Sequence, residues 1–541
     1  MVGERILKRP DLFFRKATGL VRQVGAFDTF VFNFLSMNPF GAFVLMVFAT
    51  GLYTHADLVF STLLTIIPAL FIALTYVMFS MAIPRTGGDY VWVSRTIHPI
   101  IGFMVNFGLT FVLFTFIAID VTVFTQWGVG AYFYGLFIST GNKNALNLYS
   151  LLNHSGSNLV FIVALLLIFI ISIIVAFGTK FSFRIQKIIW IFVMIAALSY
   201  LILGISTSHN AFVNAFNSKS GITEEKVLSD AFKNGLNGGV TLQGTLLGFV
   251  YMFLNFTGFN YSAYIAGEIK EVRKSQIMGI LLSLVTFAML LVLIVKVTQS
   301  IFGYNLFKAL SYLFDQVFYG INPSAPYPST LPPPFPEFLI GFITTNQIII
   351  FIITIGFGLS MLVNAVAYMY VATRNIFAWS FDRCVPAMLS KVDLRFRTPY
   401  IAVAVVAILS VLITYLSIYT TISLLFTYIT FLFALLYSIV GISAIVFPLR
   451  KNLFETSPEF VKKKIAGIPL ISLFGVFTLI SSGYVGYSLF SPNFSGPFVL
   501  LNFVFVLAIL VTSIFVYFAT YYYYKSKGIP VELMQREIPP E

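Results

Sequence analysis

Twelve long apolar stretches, separated by short polar segments, constrain this chain more than any other feature of its sequence. A helix needs about 20 largely apolar residues to cross the ~30 Å hydrocarbon layer of a membrane. Charged residues make up only 10% of the 541 positions, against about a quarter in a typical soluble domain. The pattern predicts an all-α membrane protein with twelve transmembrane helices. The stretches lie near 25–52, 58–82, 100–127, 158–178, 185–208, 241–267, 277–301, 339–373, 400–417, 421–447, 468–490 and 498–524.

The distribution of Lys and Arg predicts how the chain is oriented. With the N-terminus in the cytosol, the cytosolic loops and tails hold 27 of the 33 basic residues, and basic loops resist translocation. Residues 1–23 are polar and basic and contain no apolar signal-peptide core, so we expect a cytosolic tail. Both termini are predicted to be cytosolic, in a multi-pass protein of the plasma membrane. The net charge of +13 is attributed to loops beside anionic lipid and not to nucleic-acid binding.

The reactive side chains argue against an enzyme. Cys384 is the single cysteine, and the four histidines lie in loops or at the ends of apolar stretches. No Cys/His spacing is typical of a metal site, and neither G-x-S-x-G nor HExxH occurs. We therefore expect no catalytic site, no metal and no cofactor.

The first apolar stretch is interrupted at its middle, in the segment "FNFLSMNPFGAF". Ser36, Asn38, Pro39 and Gly41 cluster there, and Pro39 both lacks an N–H and disfavours helix at the residue before it. Non-helical backbone at membrane depth is tolerated where it is buried in protein or lines a cavity. A simple proline kink of a packing helix is the alternative interpretation.

The sixth apolar stretch contains a second interruption, in "FLNFTGFNYSAYIAGEIKEVRKSQ". Asn255, Thr257, Gly258 and Asn260 stand where hydrocarbon side chains are expected. The breaks lie in the first and the sixth stretch, so stretches 1–5 and 6–10 each begin with an interrupted helix. Because each repeat contains an odd number of spans, the second copy has the opposite orientation in the membrane. Paired interruptions of this kind indicate a secondary transporter with its substrate site between them.

Three segments resemble the amino acid–polyamine–organocation (APC) superfamily. They are "IPRTGGDYVWVSRTIHPIIGF" after the second stretch, "FTGFNYSAYIAGEIKEVRKS" at the exit of the sixth, and "ATRNIFAWSFDRCVPAMLSKVDLRFRTPYIA" after the eighth. The resemblance implies twelve helices, with a LeuT-like five-plus-five inverted-repeat core and two further C-terminal helices. It also implies transport of amino acids or related amines by alternating access.

The resemblance also implies a substrate site at the two breaks. A substrate carboxylate is expected at Ser36, Met37, Asn38 and Gly41, although Pro39 removes one donor from a segment that is usually glycine-rich in the family. The amino group is expected at carbonyls of the sixth stretch. "GFNY" is similar to the G-W-N-Y of neutral large-amino-acid exchangers, which favours a neutral substrate. The residues implied on the sixth stretch are Phe253, Asn255, Phe256, Thr257, Gly258 and Asn260.

Three further side chains are candidates for ion coupling. Asp120, in "FIAIDVTVF" of the third stretch, is an ionisable group inside a span, and its cost indicates a function. It either takes up a proton or holds a cationic amine, and a capped acid near an outer vestibule is the alternative. Ser360 and Asn364 share a face of the eighth stretch, where sodium-coupled relatives bind their ion; an interhelical hydrogen bond is the alternative. Coupling to H⁺ or to Na⁺ stays open.

These observations predict a single transporter divided into two repeats. The division comprises a cytosolic tail (1–23), a first repeat with spans 1–5 (24–208), a second with spans 6–10 (241–447), spans 11–12 (468–524) and a cytosolic tail (525–541). Its partners are expected to be a small-molecule substrate and membrane lipid, and the oligomeric state is left open. The alternatives are a carrier of another organic amine, a polyamine or a nucleobase on the same fold, and a sensor that binds substrate without transporting it.

Overall fold

A computed structural model describes residues 19–154, 156–420, 430–489 and 499–538. Most of the expected N-terminal tail (1–18), the start of the expected tenth span (421–429), residue 498 of the expected twelfth span and the last three residues (539–541) lie outside these ranges.

The described chain is almost entirely helical. Two π-helical turns (Phe124–Val129 and Ile277–Leu282) continue neighbouring α-helices, and one two-stranded antiparallel hairpin joins β1 (Lys464–Ile465) to β2 (Ile468–Pro469). Short 3₁₀ helices span Tyr261–Tyr264, Ala266–Glu268, Ala387–Ser390 and Phe447–Leu449. The α-helices are α1 (Ala26–Ser36), α2 (Pro39–Leu52), α3 (Leu58–Ala82), α4 (Asp89–Thr96), α5 (Pro99–Val123), α6 (Gly130–Thr140), α7 (Lys143–Asn153), α8 (Asn158–Ala176), α9 (Thr179–Ser206), α10 (His209–Lys219), α11 (Glu224–Lys233), α12 (Leu242–Leu254), α13 (Val272–Gln276), α14 (Ser283–Phe302), α15 (Tyr304–Phe318), α16 (Pro336–Ile343), α17 (Gln347–Phe381), α18 (Tyr400–Tyr419), α19 (Phe431–Val446), α20 (Lys451–Glu455), α21 (Glu459–Lys462), α22 (Leu470–Leu489), α23 (Val499–Ser526) and α24 (Val531–Arg536).

Eleven helical segments of the described residues are long and apolar enough to cross a membrane. The expected sixth span is represented by α12, a shorter apolar helix of 13 residues that ends at the second break. The prediction of an all-α membrane protein is therefore confirmed, whereas a count of twelve spans is not established by helix length.

Two predicted span boundaries differ from the structure. The third span was expected over 100–127, but helix continues from Pro99 through a π-helical turn to Thr140. The eighth was expected to begin at 339, but those residues belong to the separate short helix α16. A new helix starts at Gln347 because the Asn346 side chain accepts from the N–H groups of Ile348 and Ile349 at 3.0 and 3.3 Å, which caps the first turn.

Helices from the two halves of the chain pack in pairs. The segment α3 contacts α12 and α14, α5 contacts α17, and α8 contacts α18. Near the C-terminus, α19 packs along α22, and α22 also contacts α3.

One end of the bundle, here called the amino-terminal end, is closed by buried polar contacts. Arg374 Nε donates to Glu268 Oε1 at 2.8 Å, and the two side chains are 0% and 1% exposed. Val24 N–H donates to the Glu268 carbonyl at 3.0 Å, and Lys270 N–H donates to the Val24 carbonyl at 2.9 Å. These contacts join the start of α1, the segment after the second break and the end of α17.

Two further clusters close the same end. Arg95 and Asp382 form a buried ion pair at 2.5 Å. Asp89, the first residue of α4, accepts from Tyr76 Oη at 2.9 Å, from Asn106 Nδ2 at 2.8 Å and from Tyr264 Oη. Because its partners come from α3, α5 and the segment after the second break, Asp89 links three parts of the bundle.

The opposite end carries a layer of helices that do not span. This helical cap consists of α10, α11, α15 and α16. Within it, α11 packs on α15 and α10 packs on α16, while α15 and α16 contact α2 and α6 of the bundle.

We predict that Arg374→Met lowers stability substantially, because it leaves the Glu268 carboxylate buried without its cation. Removing one partner of a buried pair costs about 3–5 kcal/mol. Thermal unfolding of the purified protein in detergent measures the effect, and adding Glu268→Gln should recover part of the loss. The matched control is Lys274→Met, which removes an exposed pair with Glu271 (side chains 72% and 74% exposed) and should cost under about 1 kcal/mol. Equal losses from the two single variants would contradict this.

Candidate substrate site at two helix breaks

The two predicted breaks are present and touch each other. Helix stops at Ser36 and resumes at Pro39, and α12 stops at Leu254 without resuming as α-helix until Val272. Gly258 adopts a φ of 104°, and a Cβ built on it would overlap the Ser36 carbonyl oxygen and stand 2.6 Å from the carbonyl carbon. Only glycine combines this conformation with so close an approach.

Asn38 organises the first break. It has a left-handed conformation with a φ of 53°, which asparagine tolerates better than most residues. Its Nδ2 donates to Met361 Sδ at 2.8 Å, and its Oδ1 lies 3.0 Å from Ser360 Oγ. The first break is thereby held against α17, which carries both partners.

Few backbone donors remain free at the first break. Pro39 has no N–H, and Phe40 N–H donates to Ser360 Oγ at 3.2 Å. Because the first turn of a helix leaves its N–H groups unpaired, the Gly41 N–H is the donor left at the start of α2 within the described bonds. The Met37 N–H donates to the Asn33 carbonyl at 3.2 Å, and Ser36 Oγ donates to the Phe32 carbonyl at 2.6 Å.

The second break offers acceptors. The Phe253 and Leu254 carbonyls receive turn hydrogen bonds from Phe256 and Thr257 at 3.0 and 3.1 Å. The Asn255 and Thr257 carbonyls, and the Asn255 Oδ1 atom, accept no hydrogen bond from the described residues. They are therefore the acceptors at this break that a ligand donor could reach without breaking a turn.

Aromatic rings fix the second break on both sides. Phe253 stacks on Phe249 with ring centroids 6.2 Å apart, and Phe256 packs edge-on against Phe287 of α14 at 5.9 Å. Both side chains are buried. Both residues were expected in the substrate site, and in the structure each of them packs against another aromatic ring.

Asn260 lies in a polar position next to the break. Its Oδ1 receives a hydrogen bond from Tyr437 Oη at 3.4 Å, while its buried Nδ2 has no partner within the described ranges. Tyr437 comes from α19 and its ring also faces Phe259 at 6.3 Å. This side chain thus contributes a free donor in a buried environment.

Asp120 lies in a tyrosine-lined cluster close to the same break. Its side chain is 5% exposed, and Oδ2 has no hydrogen-bond partner in the described part of the chain. It interacts electrostatically with Tyr261 and Tyr368, whose ring centroids are 5.8 Å apart. Tyr261 directly follows the break, so the third, sixth and eighth spans meet at this carboxylate.

The structure separates the two candidate ion-site residues. Ser360 contacts the first break directly, whereas Asn364 donates to Tyr368 Oη at 2.9 Å and belongs to the Asp120 cluster. Among the described residues, no group of three or more His, Cys, Asp or Glu side chains is placed to hold a metal ion.

Sequence reasoning missed Met361, Tyr261, Tyr368 and Tyr437. Tyr261 is the last residue of the "GFNY" motif, which could have indicated it. The chain contains 28 tyrosines and 14 methionines, and nothing in the spacing of the other three distinguishes them from residues that pack elsewhere. It also missed Asn33, whose side chain bonds the Ser262 hydroxyl and the Gly279 carbonyl at 2.8 Å and so attaches α1 to the segment after the second break.

Comparison with known proteins identifies the family of the chain. A family model described as "Amino acid permease" matches residues 24–515. The chain is 25% identical to the branched-chain amino acid permease BcaP of Bacillus subtilis (strain 168) over 473 residues, 86% of this chain and 89% of that protein. It is 24% identical to BcaP of Lactococcus lactis subsp. cremoris (strain MG1363) over 365 residues, 67% and 68% of the two chains. It is 22% identical to the methylthioribose transporter of Bacillus subtilis (strain 168) over 387 residues, 71% and 73%.

We predict that Gly258→Leu abolishes ligand binding while leaving membrane insertion intact. The new side chain would push the two breaks apart, and a displacement of ~1 Å at a site can cost about 100-fold. Gly239→Leu is the matched control, since Gly239 has a similar φ of 98° but nothing within 4 Å of a built Cβ. Expression level and thermal stability report on insertion. Normal ligand binding by the Gly258→Leu variant would contradict a substrate site at the two breaks.

Proposed function

Because the chain belongs to the amino acid permease family, within the APC superfamily, we propose that this multi-pass membrane transporter carries a neutral, apolar amino acid across the cell membrane. Two of its relatives are named as branched-chain amino acid permeases. The observation that carries the proposal is the contact between the two helix breaks at Ser36 and Gly258. It brings backbone donors and acceptors of two spans together at one place.

The polar groups at the breaks suit a zwitterion of modest polarity. The unpaired carbonyls of Asn255 and Thr257 are acceptors for an ammonium group. The Gly41 N–H and the free Asn260 Nδ2 are donors for a carboxylate. Phe253, Phe256 and their aromatic neighbours leave the surroundings of the second break apolar, which favours an aliphatic substrate side chain over a charged one.

We also propose the five-plus-five inverted repeat as the core of this transporter. In that arrangement span 1 corresponds to span 6, 2 to 7, 3 to 8 and 4 to 9. The contacts of α3 with α14, α5 with α17 and α8 with α18 are contacts between such counterparts, and the two breaks are another. The boundaries 24–208 and 241–447 remain those inferred from the sequence.

The amino-terminal end of the bundle is proposed to face the cytosol. The basic loops and the described chain ends near residues 19 and 538 belong to this end, which agrees with the positive-inside rule. Its ion pairs, Glu268 with Arg374 and Arg95 with Asp382, would then close the cytosolic path. Alternating access requires these contacts to separate when the site opens inward.

A second candidate is a neutral substrate without a carboxylate. Pro39 and the bond from Phe40 to Ser360 reduce the donors available for an anion, and one relative is named as a methylthioribose transporter. A sensor that binds without transport is the other alternative, and flux measurements separate it from both.

We predict saturable counterflow of leucine, isoleucine or valine into proteoliposomes that contain the purified protein. Vesicles preloaded with unlabelled substrate should accumulate labelled substrate. Excess lysine or glutamate should compete poorly, because the residues named at the two breaks carry no charged side chain that could pair with the side chain of lysine or glutamate. Protein-free liposomes are the control. Counterflow with methylthioribose alone would favour the second candidate, and binding without flux would favour a sensor.

Asp120 is proposed to take part in coupling. A buried carboxylate with a free oxygen can gain a proton or meet a cationic amine, and its position beside Tyr261 and Tyr368 puts it near the second break. Since a neutral amino acid also carries an ammonium group, the two roles need an experiment to separate them.

We predict that Asp120→Asn loses uptake driven by an imposed pH gradient and keeps exchange at equal pH. The substitution preserves shape and removes the ionisable group. Uptake of labelled leucine in proteoliposomes, with and without the gradient, measures both modes. Unchanged gradient-driven uptake would remove Asp120 from coupling, whereas loss of both modes would assign it to substrate binding.

A further inference from the structure

Two carboxylates in the helical cap are fully buried and unpaired. Asp315 on α15 and Glu337 on α16 are both 0% exposed. None of their four carboxyl oxygens has a hydrogen-bond partner within the described residues. Leaving an ionised carboxylate in such a position costs several kcal/mol or more. The burial of two unpaired carboxyl groups in the helical cap therefore requires an explanation.

Asp315 packs directly against the outer half of the first span. A Cβ built on Gly51, near the end of α2, would overlap the Asp315 carboxylate and the Ser311 carbonyl. The hydroxyl of Ser311 is buried without a partner as well. The interface between α15 and α2 is therefore tight, and it holds an acid at its centre.

Glu337 occupies the first turn of α16. It interacts electrostatically with Tyr200 of α9, whose hydroxyl lies 2.7 Å from Thr298 Oγ1 and whose ring packs on Phe43 of α2 at 5.0 Å. The two acids thus lie on different cap helices, each close to side chains that pack on α2.

The surroundings offer no cation to either acid. Within the described ranges, no Lys, Arg or His lies within 4.0 Å of Asp315 or Glu337. Tyr327 is the titratable group that interacts with Asp315, and Tyr200 is the one that interacts with Glu337. The other ionisable groups of α15 itself are Tyr304, Lys308 and Tyr312, and Lys308 Nζ donates to the Asn237 carbonyl at 3.2 Å. The ionisable groups of the elements packed on α15 and α16 are Glu224, Glu225, Lys226, Asp230 and Lys233 of α11, Lys296 of α14, Tyr132 and Tyr134 of α6, His209 and Lys219 of α10, and Tyr368, Tyr370 and Arg374 of α17.

The helices α10 and α11, which pack on α16 and α15, contain two ion-pair contacts. Lys226 pairs with Asp230 at 2.5 Å, and His209 faces Glu224 at 3.7 Å. Burial raises the pKa of Asp315 well above its ordinary value and raises the pKa of Glu337 from 4.5 to about 8. Glu337 is accordingly protonated in the closed cap at neutral pH, and burial favours the protonated form of Asp315 as well.

We propose that Asp315 and Glu337 are proton-binding sites of an outer gate, which closes when both carboxyls are protonated and opens when they are ionised. This rests on the proposed transport function and names the proton as the coupling ion. The only chemical step is the transfer of a proton between each carboxyl group and the solvent.

The sign of the effect follows from linkage. A carboxyl with a higher pKa in the closed state binds protons preferentially in that state, so acid favours closure and rising pH favours opening. For Glu337 the effect extends between 4.5 and about 8. Over this interval Glu337 changes the open-to-closed ratio by up to about tenfold per pH unit, and Asp315 acts in the same direction.

Directional coupling then requires a difference between the two sides. An open cap exposes both acids to the external solution, and closure after proton uptake carries the transporter into the occluded state. An external pH lower than the internal one therefore favours loading from outside.

The experiment measures cap opening without substrate. In a Cys384→Ala background, Ser311→Cys puts a thiol in the buried interface of α15, and Ser324→Cys puts one at an exposed site of the segment that follows α15. The rate of modification by a membrane-impermeant thiol reagent is measured for each from pH 6 to 8. The ratio of the two rates cancels the intrinsic pH dependence of thiol chemistry.

We expect this ratio to rise by about tenfold or more per pH unit in the parent background. Asp315→Asn and Glu337→Gln, which mimic the protonated forms, should each reduce the slope, and together they should leave the ratio flat at its low-pH value. A ratio that does not change with pH in the parent, or an equal slope in the double variant, overturns the proposal.

A transport assay keeps this failure separate from failure of the proposed function. The double variant should show leucine counterflow at equal pH whose rate matches that of the parent at pH 6 and does not change between pH 6 and 8, and it should lose accumulation driven by a pH gradient. Absence of counterflow in the parent protein refutes the substrate proposal and leaves the thiol result standing. Full gradient-driven accumulation in the double variant overturns the role of the two acids in coupling.

Discussion

The packing of Gly258 against the Ser36 carbonyl is the contact on which the rest of the structure depends. It requires two spans to lose their helical hydrogen bonds at the same place, and lipid cannot replace those bonds. The surrounding helices must therefore bury both breaks. The attachment of Asn38 to α17 and of Asn33 to the segment after the second break provides this enclosure from two directions.

Ionisable groups are arranged differently along the bundle. At the amino-terminal end they are paired and hydrogen-bonded, as for Glu268 with Arg374, so their charges are fixed and their separation is costly. In the helical cap, Asp315 and Glu337 are buried without partners in the described structure, so protonation is the means by which they stay buried. The first arrangement suits a mechanical latch and the second suits a gate that responds to pH.

Local chemistry made part of this organisation predictable. Pro39 and Gly258 disrupt helices by their own backbone properties, so both breaks could be inferred from the sequence, and their pairing followed from the number of spans between them. The enclosure could not be inferred. Whether Met361 or Tyr437 reaches a break depends on helix rotation and packing, and the burial of Glu337 occurs within a proline-rich segment that reads as an exposed loop. The extension of the third span to Thr140 could not be inferred either, because it depends on the packing of α6 against α16 and α17.

Hydrogen–deuterium exchange of the reconstituted protein, with and without saturating leucine, tests the central claim most directly. A substrate held between the breaks will slow exchange of backbone amides in both 33–42 and 253–261, and the two segments will be protected over the same range of leucine concentration. Protection of one segment alone, or protection confined to other parts of the chain while leucine is bound, would contradict a shared site.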